Sequence, residues 1–388
     1  MINIDTNCKE NCCGCTACVS VCPKNAIEMI SDEEGFKYPK VDKTKCINCN
    51  LCEKVCPYKN KEKYYYYETK GFLIQNKNYD VLNNSTSGGF FDSISKYIVK
   101  NKGFVCGATF EDNFVVRHEI YSNMENINKF RESKYVQSDM NNCFIKIKKL
   151  LESGNVVCFS GTPCQVVGLK RYLRKEYDNL FTVDFCCRSV PSPILLEEYK
   201  KYQESKYKSK IVDFHFRKKT YGYHHGTLRI NFANGKEYNG SNRVDLYNKT
   251  FHSDKCSRLS CYNCIAKGIQ RESDFTIFDS WNPSLLNEHI KDNDLGYTTL
   301  FIQSEKGMKL FDEHLKKDFD VYKIDVKNAS KLTGGMLENS IKFSDERNNF
   351  YKDLIKDGYK KHVMKYINVT LKDYLIEKLK IIIYKKNR

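Results

Sequence analysis

The chain has 388 residues, 41% of them hydrophobic, and a formal net charge of +16. This length predicts roughly two or three domains with a sizeable core, and the composition excludes a disordered chain. The first residues lack a basic segment followed by an apolar run, and no long apolar run follows, so we expect neither a secretory signal nor a membrane span. No basic stripe with interleaved aromatic residues is visible, so we expect no nucleic-acid partner.

Cysteine is the most informative residue type in this sequence. The chain contains 19 cysteines, and they are concentrated before residue 57. Because no secretory signal is visible, we expect a cytoplasmic protein whose cysteines stay reduced and bind metal rather than form disulfides.

Two segments near the start repeat one cysteine pattern. In each, three cysteines are separated by two residues, and a fourth follows after three more residues and precedes proline. This is the spacing of bacterial two-cluster ferredoxins, in which three cysteines of a run bind one 4Fe-4S cube and the fourth reaches the other cube. Paired C-x-x-C motifs also form zinc ribbons, but zinc does not require two complete runs. The predicted ligands are Cys12, Cys15, Cys18 and Cys56 for one cluster and Cys46, Cys49, Cys52 and Cys22 for the other.

The segment between the two runs predicts a small module around the clusters. Residues 26–29 and 36–38 predict short strands joined by a turn. Cys8 and Cys13 are not needed as ligands. Such a module is too small to bury much apolar surface, so its clusters should supply much of its stability. We therefore predict a two-cluster ferredoxin domain over residues 1–60.

Residues 61–388 form the second predicted domain. A polar run over residues 59–63 predicts a linker, residues 64–67 and 71–74 predict the opening of a sheet, and strands and helices then alternate. The predicted fold class is therefore α+β, with a small ferredoxin-like N-terminal module followed by a larger α/β domain that contains a mixed, partly parallel sheet.

A loop of small residues, 85–89, precedes a predicted helix over residues 90–100. Exposed N–H groups and the helix dipole favour an anion at such a start, and a dinucleotide pyrophosphate would satisfy them. A serine N-cap with a flexible glycine pair is the alternative.

Two successive strand–loop–helix units follow. Residues 156–159 and 180–185 predict buried strands, each followed by a cysteine-bearing loop and a helix, over about residues 166–175 and 193–202. A right-handed crossover makes such strands parallel neighbours. Cys164 and Cys187, or Cys186 in its place, should then lie at the carboxyl edge of the sheet, where open α/β sheets bind ligands.

A later C-x-x-C pair, Cys261 and Cys264, adds two further thiols. Together with Cys164 and Cys187 they predict a third metal site, although scattered buried cysteines are the alternative. Cys106, Cys143 and Cys158 lie in apolar patterns and are predicted to belong to the core.

Two features near the end of the chain are predicted to be structural. Trp281 is the single tryptophan, and a core position is its default. Residues 371–388 alternate apolar and basic residues and predict an amphipathic helix. We expect this helix to dock on its own domain, with a membrane surface or a partner as the alternative.

Beyond the ferredoxin module, six short segments stand in a specific order and spacing: residues 85–90, 133–139, 161–169, 184–187, 260–264 and 271–274. This order resembles the coenzyme F420 hydrogenase/dehydrogenase beta-subunit family, in versions with a fused N-terminal ferredoxin. The resemblance implies an FAD in the large domain and a 4Fe-4S cluster beside it. It implies that Ser87, Gly88 and Gly89 approach the flavin phosphates, that Lys134, Tyr135, Gln137, Ser138, Thr162 and Gln165 bind the cofactor, and that Cys164, Cys187, Cys261 and Cys264 hold the third cluster.

The sequence departs from that family at two places. Relatives usually have Cys-His-Gly where this chain has Cys187-Arg188-Ser189, and Gly-Asp-x-Trp-Gly where it has residues 278–282, Phe-Asp-Ser-Trp-Asn. A lost glycine can close a backbone approach to a ligand, so these departures put the use of the deazaflavin in doubt.

The resemblance and the cysteine pattern together predict a flavin-dependent iron–sulfur oxidoreductase. It would pass electrons between a low-potential carrier, ferredoxin or coenzyme F420, and a small-molecule substrate, with an electron-carrier protein or a redox subunit as partner. The alternatives are a non-catalytic electron-transfer subunit and a reductase or regulatory protein associated with polysaccharide biosynthesis.

Overall fold

The computed structural model describes Ile4, residues 8–60 and residues 67–386. Residues 61–63 of the linker predicted over 59–63, and residues 64–66 of the strand predicted over 64–67, lie outside the described residues. The strands are β1 Ile27–Ser31, β2 Lys37–Val41, β3 Lys70–Asn76, β4 Phe104–Phe110, β5 Val116–Tyr121, β6 Val157–Ser160, β7 Leu180–Phe185, β8 Ile211–Lys218, β9 Thr227–Phe232, β10 Glu237–Ser241, β11 Phe275–Ser280, β12 Tyr297–Ile302 and β13 Phe319–Lys323.

The helices agree with the sequence predictions where those were made. Short 3-10 turns lie between several of them. The α-helices are α1 Ala17–Val21, α2 Leu51–Lys54, α3 Tyr79–Asn83, α4 Phe90–Lys100, α5 Cys143–Glu152, α6 Pro163–Leu173, α7 Pro193–Tyr207, α8 Leu246–His252, α9 Glu305–Leu310, α10 Val326–Lys331, α11 Arg347–Asp357, α12 Tyr359–Tyr366 and α13 Leu371–Lys386. None of these helices has the length and apolar character that crossing a membrane requires.

The large domain is built on an eight-stranded sheet with the order β13-β3-β12-β11-β7-β6-β4-β5. The four central strands, β11, β7, β6 and β4, are parallel to one another, while the pairs at both ends of the sheet are antiparallel. The predicted mixed, partly parallel sheet is therefore confirmed. The predicted parallel neighbours β6 and β7 pair in register, with Val157 opposite Leu180.

Local sequence explains how α6 begins directly after β6. Thr162 and Gln165 form a capping box, in which the Gln165 side chain accepts a hydrogen bond from the Thr162 N–H at 2.8 Å. Pro163 occupies the first helical turn, where its missing N–H costs nothing. This tight turn leaves Cys164 in the first turn of the helix, at the carboxyl end of the sheet.

A second layer contains the antiparallel sheet β10-β9-β8 and the helices α7, α8, α11 and α12. Its hydrophobic core includes Phe214, Phe216, Tyr247 and Tyr351, and it extends into Phe36 of the N-terminal module. The antiparallel hairpin β1–β2 of that module was predicted from the sequence. Because the hairpin shares a core with the second layer, the module is packed against the larger domain.

A buried ion pair strengthens the same contact. Arg347 donates two parallel hydrogen bonds to the Glu34 carboxylate, at 2.8 and 2.6 Å, and its Nε donates to the Ser257 carbonyl at 2.8 Å. The Arg347 side chain is 1% exposed and that of Glu34 is 16% exposed. Such bidentate geometry holds the β1–β2 turn on the larger domain.

Replacing Arg347 with Met should destabilise the protein, because Glu34 would lose its cation in a mostly buried position. We expect the free energy of unfolding to fall by about 2–3 kcal/mol, since Glu34 keeps some access to water. Anaerobic denaturant titration measures the change. The matched control is Lys365→Met, which removes a cation from an exposed pair with Asp353 and should have little effect. Equal stability of Arg347→Met and the wild type would contradict the structural role of this pair.

Candidate metal and redox site

The first predicted cysteine quartet surrounds one cavity. Cys12, Cys15 and Cys18 line it together with Cys56 from the second run, and its volume is about 390 Å³. Cys8 and Cys13, which the sequence left as spare cysteines, lie on the same cavity wall.

The second predicted quartet surrounds a different and narrower cavity. Its wall contains Cys46, Cys49 and Cys52 with Cys22 from the first run, and its volume is about 20 Å³. Cys49 is exposed. The fourth cysteine of each run therefore shares a cavity with the first three of the other run.

The two loops have the same backbone conformation. Gly14 and Thr16 have positive φ angles of 71° and 68°, and the equivalent Asn48 and Asn50 have 53° and 58°. Alternation between right- and left-handed conformations turns successive N–H groups toward one concave side, which favours an anion. A cubane held by four thiolates is anionic, so the backbone and the thiol donors both fit such a group.

Among the described residues, no three His, Cys, Asp or Glu side chains approach as closely as one metal ion requires. In a cubane each thiolate binds a different iron, so its ligands lie farther apart than those of a zinc ion.

Arg258 joins the first cysteine loop to the larger domain. Its Nε donates to the Cys12 carbonyl at 2.7 Å, its Nη2 lies 3.6 Å from the Cys12 Sγ, and its Nη1 donates to Gln137 at 3.0 Å. The guanidinium stacks on Tyr38, 4.1 Å from the ring centre. Arg258 is 1% exposed, so its charge acts on the first cavity with little screening by water.

Helix α6 approaches the same loop closely. A methyl group at Gly168 would lie 2.8 Å from the Cys15 sulfur, so only glycine allows this packing. The loop is therefore held between Arg258 on one side and α6 on the other.

The four thiols predicted to form a third site come together at the carboxyl edge of the sheet. Cys164 lies in the first turn of α6, Cys187 follows β7, and Cys261 lies in the 3-10 turn Leu259–Asn263. Burial raises the pKa of Cys187 well above its usual range, and Cys261, Cys164 and Cys264 raise it further. We call these four residues the Cys164 group. Its thiols would have to lose protons to bind iron.

Cys13 connects the first cavity to the Cys164 group. Its thiol interacts with those of Cys15 and Cys164. The contact with Cys15, together with burial, raises the pKa of Cys13 well above its usual range, and the contact with Cys164 opposes that rise. Tyr58 lies near the same thiols and donates a hydrogen bond to the Ser260 carbonyl at 3.2 Å. The sequence did not indicate a role for Cys13, because its position beside Cys164 depends on how the module docks.

The direction of the chain after β7 decides which of Cys186 and Cys187 lies with Cys164, Cys261 and Cys264. The Cys186 N–H continues the β7–β11 ladder by donating to the Ile277 carbonyl at 3.1 Å. Burial raises the pKa of Cys186 to about 11, and its charged neighbours are Arg271, Lys267 and Asp184 rather than the Cys164 group. Cys106, Cys143 and Cys158 are buried, as the apolar pattern predicted.

The loop proposed to approach flavin phosphates is engaged within the chain. The Gly88 N–H donates to the Thr298 hydroxyl at 2.8 Å, and the Ser87 hydroxyl bonds to the same group at 2.7 Å. A methyl group at Gly88 would lie 2.4 Å from the Ile74 carbonyl oxygen, so this glycine is explained by close packing against β3. Gly89 caps α4 with a φ of 86°.

The remaining flavin candidates also have protein partners. Burial lowers the pKa of Lys134 to about 8, and its ammonium donates to three carbonyls, including that of Arg131 at 2.6 Å. Tyr135 stacks on Phe251 with ring centres 4.7 Å apart. Gln137 binds Arg258, Ser138 binds His118 at 2.9 Å and Gln165 at 3.2 Å, and Thr162 lies 3.2 Å from the Cys164 sulfur.

A cluster of Arg217, Tyr223, Asp279 and Trp281, here the aromatic–guanidinium cluster, was not predicted. Arg217 Nη1 pairs with Asp279, and its guanidinium lies 4.5 Å from the Trp281 ring centre and 5.1 Å from that of Tyr223. Arg217 Nη2 is buried and has no hydrogen-bond partner among the described residues. Trp281 is 38% exposed, so its predicted core position is wrong: it stacks on Tyr223 at the surface instead.

Lys219 connects this cluster to the Ser87 loop. Its ammonium donates to the carbonyls of Leu82 at 2.6 Å and Ser87 at 3.1 Å. Burial, followed by the nearby charge of Arg217, lowers the pKa of Lys219 to about 7. The signal for this region was the segment of residues 278–282, in which Asp279 and Trp281 match the family motif although both of its glycines are replaced.

Two protein-family models match the chain. Residues 154–327 match the model that describes the C terminus of the coenzyme F420 hydrogenase/dehydrogenase beta subunit, and residues 11–60 match the 4Fe-4S dicluster domain. The second match contains both N-terminal quartets. No curated protein matches the chain.

A comparison with solved structures gives a match at low sequence identity. One chain of the xenon-derivatized F420-reducing NiFe hydrogenase complex from Methanosarcina barkeri aligns with a TM-score of 0.47 and 15% sequence identity. The alignment covers 77% of this chain and 97% of that chain.

Exchanging Cys56 for Ser should remove iron from the first cavity although Cys56 belongs to the second run. Iron analysis of anaerobically purified protein should show a loss of about four irons if that cube cannot form without its fourth thiolate. Cys8→Ser, which changes a cysteine on the same wall, should keep the wild-type iron content. An unchanged cluster signal in Cys56→Ser would contradict the interleaved arrangement.

The neighbours Cys187 and Cys186 offer a matched test of the third site. Cys187→Ser should lower the iron content from about twelve to about eight per chain, and Cys261→Ser should do the same, because each removes one ligand of a predicted cube. Cys186→Ser should leave iron unchanged. Equal iron contents in Cys187→Ser and Cys186→Ser would exclude Cys187 as a ligand.

Proposed function

We propose that this chain, which joins a 4Fe-4S dicluster domain to a domain of the coenzyme F420 hydrogenase/dehydrogenase beta-subunit family, relays electrons between an external carrier and a redox site in the larger domain. The observation that supports this most is the order of the thiols in space. The second quartet includes the exposed Cys49, the first quartet lies against α6, and Cys13 leads from it to Cys164.

The order of the sites suggests the path of the electrons. A carrier protein can approach the quartet of Cys22, Cys46, Cys49 and Cys52, because Cys49 is exposed. The first quartet is the intermediate site, and the Cys164 group lies innermost. Clusters bound at these sites would supply the electron exchange, and the role of the protein would be to fix their positions and potentials.

Arg258 is the residue that we assign to the potential of the first quartet. A cluster gains negative charge on reduction, and a buried guanidinium beside Cys12 stabilises that charge. The same side chain holds Gln137 and the Lys37 carbonyl, the latter at 2.9 Å, so it also positions the loop.

We further propose FAD as the second cofactor of the larger domain. A flavin, when bound, couples one-electron exchange with a cluster to two-electron chemistry on an organic substrate. The resemblance to the family supports this proposal, but the donors of Ser87 and Gly88 are occupied by Thr298 and do not fit a phosphate as they stand. The aromatic–guanidinium cluster fits a planar anionic group better, because the buried Nη2 of Arg217 has no partner among the described residues and the neighbouring Trp281 is partly exposed.

Anaerobic purification followed by iron, sulfide and flavin analysis tests the electron-relay function and the flavin step separately. We expect about twelve irons per chain and stoichiometric flavin, with cluster reduction by reduced ferredoxin or by the reduced deazaflavin. Reducible clusters without flavin would exclude the flavin step and favour a non-catalytic electron-transfer subunit. A colourless protein, or one that contains only zinc, would overturn the electron-relay function itself.

Replacing Arg258 with Met should make the reduction potential of the first cluster more negative, because the buried positive charge is lost. The change should be on the order of tens of millivolts, since one charge near a redox centre is partly screened. Potentiometric titration followed by electron paramagnetic resonance measures it without any substrate. Arg258→Lys keeps the charge and should lie closer to the wild type, and identical potentials in all three proteins would contradict this role.

A further inference from the structure

The C-terminal helix α13 leaves much of its apolar surface exposed. Six apolar side chains are 48–83% exposed, whereas the single buried residue within Leu371–Lys386 is Glu377. The helix contacts its own domain, as expected, but these six apolar side chains stay exposed. The exposed residues are Leu371, Tyr374, Leu375, Leu379, Ile382 and Ile383.

Glu377 explains why the helix faces this way. Its carboxylate accepts hydrogen bonds from the Ser241 N–H at 3.1 Å and the Ser241 hydroxyl at 2.6 Å, and His225 Nε2 lies 3.4 Å from it. These contacts hold one face of α13 against β10, and that face also carries the half-buried Ile376, Ile381 and Tyr384. Since side chains four residues apart lie on one face of a helix, Leu371, Leu375, Leu379 and Ile383 then point away from the domain as one stripe.

The acidic and basic side chains of α13 lie on different sides of the helix. Asp373 accepts from the Thr370 N–H at 2.9 Å and lies 3.7 Å from the Lys249 ammonium, so both acidic side chains of α13 are engaged with the protein. The charged side chains on the outward side of α13 are all lysines. Lys372 and Lys386 lie among the exposed apolar residues along the helix, and Lys378, Lys380 and Lys385 border them.

We infer that α13 is a docking surface for an anionic lipid bilayer. A helix that lies in a membrane interface has an apolar stripe for the acyl boundary and lysines for the headgroups, and here both face solvent. A protein partner is less well matched, because the cores of protein interfaces are depleted of lysine. At 16 residues the helix is about 24 Å long, which suits a position along the surface rather than across the bilayer.

Vesicle sedimentation with the full chain, purified anaerobically, tests this inference. The wild type should bind vesicles of phosphatidylcholine and phosphatidylglycerol about tenfold or more tightly than vesicles of phosphatidylcholine alone, and added salt should weaken the binding. The double variant Leu379→Glu and Ile382→Glu should lose at least about tenfold in binding, because both apolar contacts are replaced by charges. Its iron content and circular dichroism should stay unchanged, since both side chains are exposed.

Two further variants separate the contribution of the lysines to vesicle binding from that of the apolar stripe. Lys372→Gln with Lys386→Gln should reduce binding to the anionic vesicles alone, because the apolar stripe is retained. Leu285→Glu, which changes a 67% exposed leucine outside α13, should bind as the wild type does. Absence of wild-type binding to anionic vesicles would overturn the inference. Binding of the Leu379→Glu, Ile382→Glu variant as tight as that of the wild type would also overturn it. The same holds if the wild type forms a dimer that this variant abolishes, because α13 would then be an interface between copies of the chain.

Discussion

The arrangement of this protein depends on the contact between Arg258 and the first cysteine loop. A buried guanidinium that binds a carbonyl, a thiol and an amide of two domains fixes both the distance and the orientation between them. The Glu34–Arg347 pair and the shared aromatic core secure the other end of the module. Without such a rigid contact, closely spaced redox centres would not keep their separation, and electron exchange depends on that separation.

The parallel centre of the large sheet supplies the second constraint. Its strands β6 and β7 end at the same edge, where α6 begins and where the chain reaches Cys187. The 3-10 turn that contains Cys261 adds thiols from a distant part of the sequence. The aromatic–guanidinium cluster lies on β8 and β11 and the segments that follow them, and Cys186 links the two regions through its proximity to Asp279. A proposed cofactor in the larger domain would therefore lie near the innermost thiols.

The proposed membrane surface is consistent with this arrangement. Helix α13 contacts β10 of the second layer, while the exposed Cys49 belongs to the N-terminal module. The polar anchor of α13 makes such a role possible, because it orients the helix through Glu377 without using the apolar stripe.

Local patterns in the sequence predicted the two ferredoxin quartets, the hairpin between them and the strands β6 and β7, because thiol spacing and apolar runs act over a few residues. The mixed sheet followed from the alternation of strands and helices. Tertiary structure alone decided which of Cys186 and Cys187 joins the Cys164 group, that Cys13 lies beside Cys164, and that Arg217 meets Trp281. These contacts join segments far apart in the chain, and no periodic pattern records them. The outward face of α13 was also a tertiary outcome: amphipathicity defines two faces, but the hydrogen bonds of Ser241 to Glu377 decide which face is buried.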